Sequence, residues 1–273
     1  MMVSHVPPFP KVAQRVMELL GDANTTAAQL AEVIQFDSAI TANVLKICNA
    51  AYFGLPRKIS SLDEGLVVVG HDILKDIMAT SCSAKFYKGS VGAGYDLGEG
   101  DLWRHSVACA IMAKQTITFF PDVEGSSAFT AALLHDIGKR FMSTFIADDY
   151  ERVVGMVARE HCSFVEAEKK VIGMDHATLG GMILKKWEFP TAMQQAVERH
   201  HDKDALDAGG LTALVALANA LVVSMGIGGG VDGLATPLHG EVLAQFDISA
   251  IDLQLLMADL LDEMAMAEEL FNM

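Results

Sequence analysis

From Ala208 to Val231 the chain carries no charged residue. A segment of that kind belongs in a lipid bilayer or in the interior of a protein. Its continuous apolar part, Leu211–Met225, is 15 residues long, short of the roughly 20 needed to span a bilayer. Gly226–Gly230 then interrupts it. The segment is therefore predicted to be a core helix, and a helix apolar on every side must be surrounded by other elements.

The rest of the chain supplies helices for that purpose. Ala, Leu, Met and Glu are plentiful, there are seven prolines, and few β-branched runs alternate with polar residues, so the fold class is predicted as all-α. Val12–Leu20 is an amphipathic helix, Asn24-Thr25-Thr26 offers a cap for Ala27–Gln35, and Asp37-Ser38 a cap for Ala39–Asn49. Helices follow over Leu62–Val69 and Ile73–Phe86, with Gly70 and His71-Asp72 between them. Lys88–Gly100 contains five glycines and reads as a subdomain boundary. Beyond it, helices are expected over Leu102–Phe119, Ser127–Ile146, Asp148–His161, Ser163–Ile172, His176–Trp187, Thr191–His200 and Leu211–Met225. Gly226–Gly240 reads as a flexible loop, and Ile248–Phe271 as one or two acidic helices.

The formal net charge is −15, and the basic residues are scattered rather than gathered into a stripe. Nucleic-acid binding needs Lys and Arg to neutralise phosphates, so that class is excluded as a primary partner, and an anionic membrane surface with it. The four cysteines, Cys48, Cys82, Cys109 and Cys162, stand far apart in apolar, helix-like settings. They are read as buried free thiols, not as disulfides or zinc ligands, which points to a reducing cytoplasm. Met1–Pro10 is short and proline-rich and does not read as a signal peptide. Met17, Met78, Met182 and Met193 are expected to fill the core.

Chemistry concentrates around Leu133–Lys139, where an adjacent His135-Asp136 pair is set in an apolar helix-forming segment. Asp101 and His105, four apart, face the same way on a helix. Asp175-His176 and His200-His201 follow downstream. Imidazole beside carboxylate is a ligand pair for a divalent metal, and this set suffices for one ion or two. A dinuclear centre of that kind suits phosphoester hydrolysis. Lys139, one turn after His135, is placed to hold a phosphate oxygen or balance charge, and Asp136 and Lys139 are the candidate catalytic residues. His5, His161, His239 and the pair His71-Asp72 are read as structural.

Taken in order, these residues resemble the HD superfamily of metal-dependent phosphohydrolases, and more closely its signalling offshoot, the HDOD (HD-related output domain) family. The N-terminal marks are Pro7–Pro10, Asp37, the run Val44–Gly54 and Ile59-Ser60-Ser61-Leu62. The C-terminal marks are Leu102–Ser106, Leu133–Lys139, Gly173–His176 through Gly180 to Trp187–Pro190, and His200-His201. The resemblance implies an N-terminal helical subdomain over residues 1–90 packed on an HD-like helical subdomain over residues 98–273, together one HDOD unit. It also implies a metal site drawn from Asp101, His105, His135, Asp136, His176, His200, His201 and Asn219. Asn219 stands where catalytic HD proteins supply a last aspartate; its carbonyl oxygen lacks the charge that helps hold a hard cation. No Gly-Tyr-Pro motif follows the double histidine, which argues against cyclic di-GMP as an assured substrate. The expected function is cytoplasmic signal transduction through a retained metal pocket, by docking partner proteins or sensing a ligand such as a nucleotide. The alternative is an active metal-dependent phosphohydrolase or phosphodiesterase acting on a nucleotide or cyclic dinucleotide. Iron, manganese, zinc and nickel all suit the donor set.

Overall fold

The computed structural model describes residues 2–20, 22, 24–49, 59, 61–87, 95, 97–146, 149–228, 243 and 245–271. Among these residues every regular element is helical and no strand forms, as composition and periodicity require. The chain divides into two compact units, one of Pro8–Lys85 with Ala265–Met273, the other of Met1–Pro7 with Phe86–Met264.

The first unit contains α1 (Lys11–Leu20), α2 (Ala27–Ile34), α3 (Ser38–Cys48), α4 (Leu62–Val69) and most of α5 (His71–Tyr87). Thr26 and Gln29 close a reciprocal capping box at the start of α2, as the Asn24–Thr26 signal predicts. Asp37 Oδ1 accepts the Ile40 N–H at 3.0 Å and opens α3. Asn49, at the end of α3, donates to Leu45 O and Ile59 O and accepts from Ile59 N at 2.7 Å, so one amide ties a helix end to a distant backbone. The interior is apolar: Val16, Leu30, Ile34, Val44, Leu66, Leu74 and Met78 are buried.

The second unit contains α6 (Asp101–Gln115), α7 (Gly125–Leu134), α8 (Ile137–Ile146), α9 (Tyr150–Glu160), α10 (Phe164–Ile172), α11 (His176–Lys186), α12 (Thr191–Arg199), α13 (Gly210–Ser224) and most of α14 (Ala250–Phe271). The uncharged α13 is the expected core helix: Ala213–Val222 is buried, and α6, α7 and α12 surround it. No helix is long and apolar enough to cross a membrane among the described residues. The first residues are held by α11: Lys186 Nζ donates to Val3 O and Val6 O, and Trp187 Nε1 donates to Pro7 O.

Two expected helices are shorter in the structure. Leu102–Phe119 ends as an α-helix at Gln115 and tightens into a 3-10 turn at Ile117–Phe119, with Thr116 Oγ1 bonded back to Met112 O at 2.8 Å. Ser127–Ile146 breaks into α7 and α8 at His135-Asp136. Met182 is 38% exposed and so is not core filler, because it sits on the outer face of α11. Cys109 is a buried free thiol and Cys162 a half-buried one; the side chains of Cys48 and Cys82 lie outside the described residues. So do His239 and most of the glycine-rich segments Lys88–Gly100 and Gly226–Gly240.

Candidate metal centre

The break between α7 and α8 places the site. On a continuous helix His135 and Asp136 would diverge by about 100°. Here they occupy a turn in which Lys139 N bonds to Asp136 O at 3.0 Å, and both side chains face one point. The break also brings α8 against α11. A Cβ on Gly138 would lie 1.9 Å from His176 O, so the two ligand-bearing helix starts touch backbone to backbone, a contact only glycine permits. Gly173, at φ +86°, ends α10 and turns the chain into Asp175, which caps α11 through Thr178 N at 2.6 Å.

Asp136 is fully buried, and the Nε2 atoms of four imidazoles gather round its carboxylate. His135 lies 3.3 Å and His105 3.5 Å from Oδ2; His176 lies 3.4 Å and His200 3.7 Å from Oδ1. In each ring the other nitrogen is fixed. Nδ1 of His105 donates to Ile227 O at 2.9 Å, that of His135 to Ala132 O at 2.7 Å and that of His200 to Val197 O at 2.7 Å. His176 Nδ1 donates to the Glu168 carboxylate at 2.8 Å. A neutral imidazole whose Nδ1 donates presents a lone pair at Nε2, so His105, His135 and His200 aim lone pairs at a carboxylate that also offers only lone pairs. Consistently, His135 Nε2, His200 Nε2 and Asp136 Oδ1 are buried and make no hydrogen bond. A cation among them would resolve the arrangement, and imidazoles pinned from behind are the usual supporting shell of a metal site.

His201 completes one group: its donor atom and those of Asp136, His176 and His200 all lie within 4.8 Å of one another. His201 is half-buried, unlike the other three. Asn219, from the buried helix α13, brings Oδ1 to 3.1 Å from His105 Nε2. Asp101 does not join the clustered donors; its Oδ2 accepts the Gly98 N–H at 2.8 Å at the start of α6. Lys139 is 4% exposed, with Nζ 2.6 Å from Asp136 Oδ2, so its charge balances that carboxylate.

The electrostatics follow from burial. Desolvation lowers His105 and His200 to about 4, which keeps both rings neutral and available as ligands. Burial also opposes the charge of Asp136, but His135 and Lys139 beside it hold its carboxyl well below the usual range. For His176 burial again works against charge, yet Glu168 raises it to about 10. Protonated on both nitrogens, the ring turns Nδ1–H to Glu168 and Nε2–H toward Asp136, and a cation at Nε2 would displace the second proton.

Glu168 was not singled out in the sequence. It is fully buried, accepts from the Tyr95 hydroxyl at 2.5 Å, and takes both the backbone and ring N–H of His176. The Ile227 carbonyl was missed as well; it reaches His105 because the chain beyond α13 folds back until Gly228 meets the start of α6.

The HDOD domain family matches residues 6–203. An HDOD domain protein of unknown function from Geobacter sulfurreducens aligns over 98% of this chain and 94% of its own at 24% identity, with a TM-score of 0.77. A candidate phosphohydrolase from Shewanella amazonensis aligns over 98% and 96% at 20% identity, TM-score 0.71. A candidate signal transduction protein from Marinobacter aquaeolei aligns over 98% of this chain and 60% of its own at 17% identity, TM-score 0.74. An uncharacterised protein of Treponema pallidum is 18% identical over 206 residues; the match takes in 73% of this chain but 38% of that relative's length. At these identities the solved structures establish a shared fold.

Proposed function

The chain belongs to the HDOD domain family, and on that footing we propose that it is a cytoplasmic signalling protein whose HD-type pocket holds a divalent transition metal in a regulatory role. The observation that carries this reading is the convergence of four Nδ1-pinned imidazoles on the buried Asp136 carboxylate. His105, His135, Asp136, His176 and His200 would hold the metal, with His201 and Asn219 at its margin. A cation bound there supplies charge neutralisation and, at an open position, an acidified water.

Two features favour regulation over turnover. Lys139, the residue best placed for a phosphate oxygen, is committed to Asp136 at 2.6 Å. Asn219 brings a neutral oxygen where a carboxylate would strengthen the grip on a hard cation. Its output would then be docking to signalling partners, with metal occupancy setting the state of the pocket. The second reading, a metal-dependent phosphohydrolase or phosphodiesterase acting on a nucleotide or cyclic dinucleotide, is favoured by the survival of the whole imidazole set.

Elemental analysis of the protein purified without chelators, followed by phosphoester and cyclic dinucleotide assays, separates the readings. One or two equivalents of transition metal with no turnover is the expected result. Metal-dependent hydrolysis abolished by His135→Ala would overturn the regulatory reading. Asn219→Asp is expected to tighten metal binding by about tenfold or more by adding an anionic oxygen; an unchanged affinity would remove Asn219 from the site.

A further inference from the structure

Asp136 divides the cluster into two sides. Oδ1 faces His176 and His200, while Oδ2 faces His105 and His135 and is also taken by Lys139. The Oδ2 side therefore shares its anion with a buried ammonium, and the other oxygen it receives, from Asn219, is neutral. A third donor stands there. Cys109 follows His105 by one turn of α6, so the two side chains share a face. Its Sγ lies 3.5 Å from His105 Nε2, and the thiol is 1% exposed.

His105, Cys109 and His135 each bring one donor atom within 4.8 Å of the others. The separation has a chemical meaning. With metal–nitrogen bonds of about 2.0–2.1 Å and metal–sulfur bonds of about 2.3 Å, the nitrogen–sulfur edge of a tetrahedral site is about 3.5 Å. The buried His135 Nε2, which makes no hydrogen bond, supplies the next corner.

Resting on the metal-pocket reading above, we propose that Cys109 is the anionic ligand of the His105–His135 side, and that this side takes a thiophilic divalent cation of the zinc, cobalt or iron(II) class in preference to magnesium or manganese. On binding, the metal–sulfur bond replaces the S–H bond and the thiol proton leaves to solvent, with no change of oxidation state. Softness selects the ion, because a thiolate discriminates against hard oxygen-seeking cations.

The test is titration of the full, chelator-stripped chain with cobalt(II), read by absorption spectroscopy, for the wild type, Cys109→Ser and Cys162→Ser. A sulfur-to-cobalt charge-transfer band in the near ultraviolet is expected in the wild type and in Cys162→Ser, and is lost in Cys109→Ser. Cobalt affinity of Cys109→Ser should fall by about tenfold or more, as for loss of a supporting contact at least, with a smaller change for manganese(II). Cobalt bound with ligand-field bands but no charge-transfer band in the wild type overturns the role of Cys109 and leaves the metal pocket standing. No cobalt binding at all overturns both. Should Cys109→Ser fail to fold, Cys109→Ala replaces it, and absence of the band from the wild-type spectrum still overturns the proposal.

Discussion

The unit of Pro8–Lys85 with Ala265–Met273 and the unit of Met1–Pro7 with Phe86–Met264 bury different chemistry. Among the described residues, the first encloses apolar side chains and, as buried polar groups, only the small hydroxyls of Thr25, Thr80 and Ser83. The second encloses His105, His135, Asp136, Lys139, Glu168, Asp175, His176 and His200. A buried hydroxyl is neutral and costs comparatively little to enclose, whereas each buried ion costs several kcal/mol in desolvation unless partners offset it. The first unit therefore follows from hydrophobic burial alone. The second tolerates a concentration of charge that packing does not require, which the proposed cation would account for.

The comparison can be broken most directly at its two centres. Asp136→Asn removes the carboxylate that holds Lys139 and is expected to cost about 3–5 kcal/mol. Leu30→Ala in the apolar unit should cost about 2–5 kcal/mol, the usual range for a buried large-to-small change. Urea unfolding with metal analysis distinguishes them: the Leu30 variant keeps its metal per folded molecule and the Asp136 variant does not. Equal metal contents would mean that the charged cluster is merely structural.

Chelation should act next most strongly. A ligand at a hundredfold excess over its dissociation constant stabilises the folded state by about 2.7 kcal/mol, so stripping the metal should lower the melting temperature. A melting curve indifferent to chelator would contradict a native-state metal. Glu168→Gln keeps the shape of the side chain but weakens the acceptor behind His176. It is expected to reduce metal affinity about 10- to 100-fold, by calorimetric titration, and to leave the apolar unit intact by hydrogen exchange. The smallest effect belongs to Asp175→Ala, which removes the α11 cap and should cost about 1 kcal/mol in thermal unfolding without changing metal stoichiometry.

Much of the site was legible because its signals are local. His135-Asp136 stands out within an apolar run, Asp175-His176 repeats the pairing of carboxylate and imidazole, and α13 had to be central because it carries no charge. What escaped depends on chain trajectory. Glu168 lies on an amphipathic helix, and nothing in its neighbours shows that it turns inward to His176. The Ile227 carbonyl meets a ring 122 positions earlier through a backbone reversal that side-chain patterns do not encode. The break at His135-Asp136 was hidden for a related reason: helix propensity runs through it, and the contact of Gly138 with His176 O decides against continuity. Cys109 reads as core filler until the atom beside it is known.

The anchoring of Val3, Val6 and Pro7 by Lys186 and Trp187 bears on how the protein is made. At a translation rate of about 5–20 residues per second, the opening residues wait on the order of 10 to 40 s for the partners that fix them. Through that interval the intervening Pro8–Lys85 segment can begin to consolidate its apolar interior, to which Ala265–Met273 is added later. His105 waits a shorter interval but is fixed later in synthesis, because Ile227, 122 positions on, must leave the ribosome before its ring is oriented. On the proposed metal reading, a complete site would have to await Ile227, and a chain truncated ahead of it would carry every proposed donor residue but lack the carbonyl that orients His105.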